Sequence, residues 1–146
     1  MWNFGNFGDR DAIIDETFGI LSYTKLKEET EKLTNAAGER FLVFVLCSNT
    51  VGSVLGYSAF MNAHIVPLML NRNIDSAMFK YLINAYYPKY LWLPDEQTGK
   101  FEKVHEALGY SLVLNATKIT KFILTSHYFS QHQGALEVLN LYARAI

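Results

Sequence analysis

Little in this 146-residue chain advertises a charged partner. Thirteen lysines and arginines nearly cancel fourteen aspartates and glutamates, leaving a formal net charge of −1. A basic face of the kind that gathers nucleic acid or an anionic membrane is not expected, so no nucleic-acid partner is assigned. Cysteine occurs once, at Cys47. No disulfide can form within the chain, and a reducing, cytoplasmic setting is the expectation. The opening MWNFGNFGDRD has no basic region followed by an apolar core, so no signal peptide is read there. No apolar run is long enough for a membrane span. Two phosphate-binding signatures are also missing. No G-x-x-x-x-G-K-[ST] occurs, and no G-x-G-x-x-G follows a candidate strand.

What is present is material for a core. Half of the residues are hydrophobic and 14% are aromatic, at a length that suits one domain. AIIDETFGILSY reads as two short strands, 12–15 and 19–23, around a turn at 16–18. Thr24 is placed to cap a helix in which Leu26, Leu33 and Ala37 share one face, with Gly38 as its stop. FLVFVL, 41–46, is continuously apolar and suits a strand buried on both faces, as in a parallel sheet. SNT then caps VGSVLGYSAFMNA, a helix apolar almost all round and therefore well buried. A strand at 65–70 follows. Asp75 starts a third helix carrying Met78, Phe79, Leu82, Ile83 and Tyr86, which Pro88 ends. A strand at 90–93, a polar helix at 96–108 and a strand at 110–114 complete the series. The fold class is therefore α/β: an N-terminal β-hairpin, then alternating βα units forming a mainly parallel, three-layer sheet.

The residues able to carry chemistry are scattered. Cys47 ends a strand just before a helix N-terminus, where a thiolate is stabilised; no base lies near it in sequence, which favours a small packed side chain. His64 sits at a helix–strand junction and reads as structural; His105 falls within the polar helix and reads as solvated. Asp9, Asp11, Asp15 and Glu16 cluster around the hairpin, but the glycine and distal glutamate of a calcium loop are missing, so they read as surface charge. Gly52 and Gly56, one helical turn apart, suit close packing of helix on sheet. The aromatic residues read as core or interface. His127 and His132 are five apart and joined by no carboxylate or thiol, a poor metal pair. No catalytic, cofactor-binding or metal-binding residue is assigned.

Three segments taken together resemble the adenylate-forming enzymes: acyl-CoA synthetases, peptide-synthetase adenylation domains and luciferases. DAIIDETFGILSYTKL is similar to their opening, where a hairpin runs through L-[ST]-Y-x-x-L into the first helix; the matching residues are Leu21, Ser22, Tyr23 and Leu26. FLVFVLCSNTVGSVLGYSAFMNAHIVPLML resembles the next strand and helix and an A-G-x-x-x-V-P-L region, matched by Ala63, Val66, Pro67 and Leu68, with His64 where the family usually has glycine. LINAYYPKYLWLPDE looks like the following unit. The resemblance covers about residues 8–121 and leans toward bacterial acid–CoA ligase-like members. It implies a parent enzyme that activates a small carboxylic acid with ATP and Mg²⁺ and passes the acyl group to CoA. The family's phosphate loop, a Ser/Thr/Gly run ending in lysine, would begin just beyond SLVLNATKITK.

At that place the chain instead reads KFILTSHYFSQHQGALEVLN. Codons compatible with residues 121–140, regrouped by one base, read IYPDLTLLFSTSGSTGSPK, which resembles the missing loop with its lead-in. Asn140 stands where the loop lysine would fall. The expectation is a frameshift near Lys121: residues 1–121 form the N-terminal subdomain of an adenylate-forming enzyme, and residues 122–146 are an out-of-frame tail. Leu136, Leu139 and Tyr142 would allow that tail one amphipathic helix. Such a chain has no ATP, Mg²⁺ or CoA site of its own, is inactive, and self-associates through apolar surface its missing remainder would cover. Two other readings stay open: a free-standing α/β binding or regulatory module, and a small enzyme using His64 or Cys47.

Overall fold

The structure is a computed structural model that describes residues 3–38 and 40–115. They belong to one compact unit, residues 1–115, and a second unit spans 116–146. The expected out-of-frame tail, its helix, His127 and His132 lie outside the described residues.

A short 3₁₀ turn (Phe4–Phe7) precedes the hairpin formed by β1 (Asp11–Asp15) and β2 (Gly19–Ser22). Helix α1 (Tyr23–Ala37) follows without a linker. Its N-cap is Ser22 rather than Thr24: Ser22 Oγ accepts from the Lys25 N–H at 3.2 Å, and Thr24 lies inside the first turn. The hydroxyl must sit outside the helical dihedrals to reach an N3 amide, and Ser22 is the residue with extended backbone. Leu26, Leu33 and Ala37 are buried along one stripe, together with Thr30. Gly38 ends the helix at φ +83°, a conformation that favours glycine.

Strand β3 (Leu42–Cys47), helix α2 (Val51–Asn62) and strand β4 (Val66–Asn71) make the first βαβ unit, with β3 and β4 parallel. Helix α3 (Ser76–Tyr86), N-capped by Asp75 as read from sequence, leads to β5 (Tyr90–Pro94), parallel to β3 on its other side. Val43 and Val45 meet α1 and α2, whereas Phe44 and Leu46 meet α3. That alternation explains why β3 is apolar at every position: both faces are covered. Two helices on one face and one on the other give the three layers.

The expected polar helix at 96–108 does not form. A 3₁₀ turn (Asp95–Gln97) leads into strand β6 (Lys103–Ala107), which pairs antiparallel with β7 (Tyr110–Leu114). Ala107 faces Tyr110 across a two-residue turn, and both turn residues, Leu108 (φ +50°) and Gly109 (φ +76°), are left-handed. This is the geometry of the type I′ hairpin, whose twist matches that of the strands. A helix would have carried the chain over the sheet and returned it parallel; a hairpin reverses it. Strand β7 therefore runs antiparallel to β5, and the five-stranded order β4-β3-β5-β7-β6 is mixed: parallel in its first three strands, antiparallel in the last two.

Candidate functional site

Open α/β sheets bind ligands outside the carboxyl ends of their parallel strands. Here those ends are Cys47, Asn71 and Pro94. Beyond Cys47 the chain turns through Ser48 and Thr50 into α2, and hydroxyls gather. The Tyr110 hydroxyl lies 2.9 Å from Ser48 Oγ and 2.8 Å from Ser53 Oγ, and Ser53 Oγ also accepts from the Ser48 N–H at 2.9 Å. Thr50 Oγ1 is 3.2 Å from Ser48 Oγ. Across the same edge the Arg72 guanidinium pairs with Glu96, Gln97 Nε2 donates to the Arg72 carbonyl at 3.3 Å, and Ser111 Oγ donates to Asp95. The hydroxyls are consumed in holding β3, α2 and β7 together.

The N-terminus of α2, a place where a helix offers free N–H groups to an anion, is filled from the hairpin. Asp15 Oδ2 accepts from the Val51 N–H at 3.0 Å, while Oδ1 accepts from Thr17 at 2.8 Å and Phe18 at 3.1 Å. The bond from Val51 leads in holding this carboxyl below its ordinary pKa, with those from Phe18 and Thr17 adding to it. Thr50, expected within SNT to cap this helix, makes no side-chain cap bond. Asp15 is therefore a tertiary cap and more than surface charge; nothing local distinguishes it from Asp9, Asp11 or Glu16. A group with a depressed folded pKa contributes stability above the ordinary carboxylate pKa and loses it as the pH falls through the depressed value. Asp15→Asn, which turns an amide donor toward Val51, should lower the urea midpoint at neutral pH. The gap from wild type should shrink below about pH 4. Equal midpoints at neutral pH would overturn the assignment.

The other flagged residues do not converge. Cys47 Sγ sits 3.3 Å from the Val45 carbonyl and 3.9 Å from Met69 Sδ, and burial pushes its pKa up, so it is a thiol and not an activated thiolate. His64 is exposed before the amino end of β4, in a left-handed conformation of φ +57°. That φ is the physical reason a glycine suits the position. Register places Leu42 opposite Val66 and Cys47 opposite Asn71, so His64 and Cys47 belong to opposite ends of the strands, roughly 16 Å apart or more at 3.3 Å per residue. No enzyme site joins them. His105 is on β6, half-buried against α1 rather than solvated on a helix. Gly52 and Gly56 face the sheet, where a Cβ would strike Tyr110 and Trp92. Among the described residues no group of three or more His, Cys, Asp or Glu could hold a metal, and no helix is long and apolar enough to cross a membrane.

A cleft of about 420 Å³, lined by Thr34, Asn35, Gly38, Arg40, Asn62, Ala63 and His64, opens at the amino ends of β3 and β4. It lies away from the carboxyl edge where ligands of such sheets bind, and two helix C-termini border it.

No family model matches the sequence, and no curated protein matches it. Solved structures do match the fold. One is the N-terminal subdomain of Klebsiella oxytoca NpsA in complex with 3-hydroxybenzoyl-AMSN: TM-score 0.52 at 20% identity, covering 60% of this chain and 23% of that one. Another is holo-AB3403, a four-domain nonribosomal peptide synthetase bound to AMP and glycine: TM-score 0.57 at 15% identity, covering 81% of this chain and 9% of that one. The chain thus spans under a quarter of the length of either protein. At such identities the likeness is one of fold: a mixed α/β sheet flanked by helices, as in the N-terminal subdomain of NpsA.

Proposed function

We propose that this chain is an N-terminal part of an ATP-dependent carboxylic acid–CoA ligase-like enzyme and is inactive by itself. The observation that carries the reading is positional. Leu21-Ser22-Tyr23, with Leu26, falls where the hairpin enters α1, with Ser22 as the cap and Leu21 and Leu26 buried. Ala63, Val66, Pro67 and Leu68 fall where α2 passes into β4, again as in the family's order. The likeness of fold to two adenylate-forming proteins supports the same assignment. In the parent, ATP and Mg²⁺ would serve to form an acyl-adenylate, and CoA would accept the acyl group.

The N-termini of the three described α-helices do not favour a phosphate. The N-termini of α1, α2 and α3 are closed by Ser22, Asp15 and Asp75 of the chain itself, and two of these caps are carboxylates that repel phosphate. The phosphate loop is proposed to survive only in the shifted frame after Lys121. ATP–pyrophosphate exchange by the 146-residue chain, assayed over a panel of carboxylic acids, should stay at background; measurable exchange would overturn the proposed inactivity. Sequencing the encoding DNA across residues 115–146 should show codons that regroup into the loop, and incompatible codons would sink the frameshift.

Self-association belongs to the same proposal. Ile14 and Ile20 face each other across the hairpin at 79% and 62% exposure, and Val66 on β4 is 62% exposed. Paired apolar side chains in water favour burial against another surface. The apparent mass in sedimentation should rise with concentration and fall for an Ile14→Lys, Ile20→Lys variant. A wild-type chain monomeric at every concentration would contradict this.

A further inference from the structure

His105 is a half-buried titratable group that the proposed function does not use. It lies on β6 opposite Leu112 of β7, and a β-bulge between Lys103 and His105 sets its register. Leu112 belongs to the core shared with Leu26 and Leu33 of α1, so His105 projects onto the same helix. Its Nε2 is sealed from solvent and has no hydrogen-bond partner. A neutral imidazole leaves one atom unsatisfied there, which is tolerable. An imidazolium would bury a charged N–H with no acceptor, which is costlier.

The charged groups around the ring do not supply that acceptor. Glu29 and Lys32 of α1 and Glu106, next to it on β6, act on it electrostatically, and Leu112 of β7 lies opposite it. Glu29 is already held by Lys25 at 3.0 Å and Lys32 at 2.9 Å, and Glu106 by Lys103 at 2.7 Å. Burial accordingly leads, and the ring's pKa lies below its ordinary value. Among the described residues β6 is paired only with β7, so its seat on α1 is what a charge at His105 would disturb.

We propose that His105 is an acid-sensitive latch, holding β6 on α1 while the imidazole is neutral and releasing the strand when it is protonated. The closed form binds fewer protons than the open form. Stability is complete above the ordinary histidine pKa of about 6.5 and is lost as the pH falls from there toward the lower folded value. Within that window the opening constant rises by up to about tenfold per pH unit.

Hydrogen exchange at the amides of residues 103–107 in the full chain reads this directly. With intrinsic exchange corrected, opening in the wild type should increase several-fold, by at most about fivefold, between pH 6.5 and pH 5.5, relative to His105→Leu, where it should be flat. His105→Gln keeps a polar, non-titrating side chain and should also be flat, which decides the matter if the leucine variant misfolds. If both variants fail to fold, the titration of the wild-type ring followed by NMR decides: a midpoint below about 6.5 supports the latch. A midpoint at or above the ordinary value, or a glutamine variant with the wild-type pH response, overturns it. Neither outcome depends on the ligase assignment.

Discussion

Gly56→Ala should destabilise the protein by about 3 kcal/mol, although alanine at an open helix position is worth about 1 kcal/mol more than glycine. The sign reverses because the position has no room. A Cβ on Gly56 would fall well inside van der Waals contact with the indole of Trp92, a residue with no exposure. Trp92 cannot retreat: its Nε1 donates to the Gly52 carbonyl at 2.9 Å, its ring stacks on Tyr110 at 5.6 Å, and its edge meets Phe60 at 6.2 Å. Gly52→Ala should cost at least as much, since its Cβ would lie 2.6 Å from the Leu108 carbonyl oxygen, which is backbone and part of the tight β6–β7 turn. Urea unfolding followed by far-ultraviolet circular dichroism checks both variants. A midpoint at or above that of the wild type would show that α2 is free to move away from the sheet.

Trp92→Ala should be of similar or greater effect, about 3–5 kcal/mol, because it empties a site that cannot collapse. Phe60, Tyr110, Gly52 and Gly56 line the indole from two elements, and the two glycines have no side chains with which to fill the space. Against a domain stability of about 5–15 kcal/mol, that loss would leave a barely cooperative transition. Trp92→Phe should recover most of it, losing chiefly the Nε1 bond to Gly52 and part of the volume. A thermal melt of the alanine variant coincident with wild type would refute this packing of Trp92.

Where one local pattern dominated, it could be read directly. The spacing of Leu26, Leu33 and Ala37, the stop at Gly38, the cap at Asp75 and the unbroken apolar run of β3 each follow from short-range sequence, and all formed. The reading failed at residues 96–108. Lysine, glutamate, alanine and leucine there are good helix formers. Yet pairing of Lys103–Ala107 with β7, together with the α1 contact, outweighs a propensity of a few tenths of a kcal/mol per residue. Gly109 hinted at the hairpin turn; Leu108, an uncommon residue at positive φ, hid it.

The candidate site divides along the same line. The sequence by itself determined the supply of parts: one cysteine, scattered histidines, two glycines a helical turn apart, and the hairpin–helix signature of Leu21 to Leu26. Only the tertiary structure decided what those parts meet. It delivered Asp15 to the N-terminus of α2, thirty-six residues away in sequence, spent the Ser48, Ser53 and Tyr110 hydroxyls on one another, and sealed the Nε2 atom of a half-buried His105. Capping, satisfaction of a buried hydroxyl and desolvation of an imidazole depend on neighbours distant along the chain, so no window of sequence contains them.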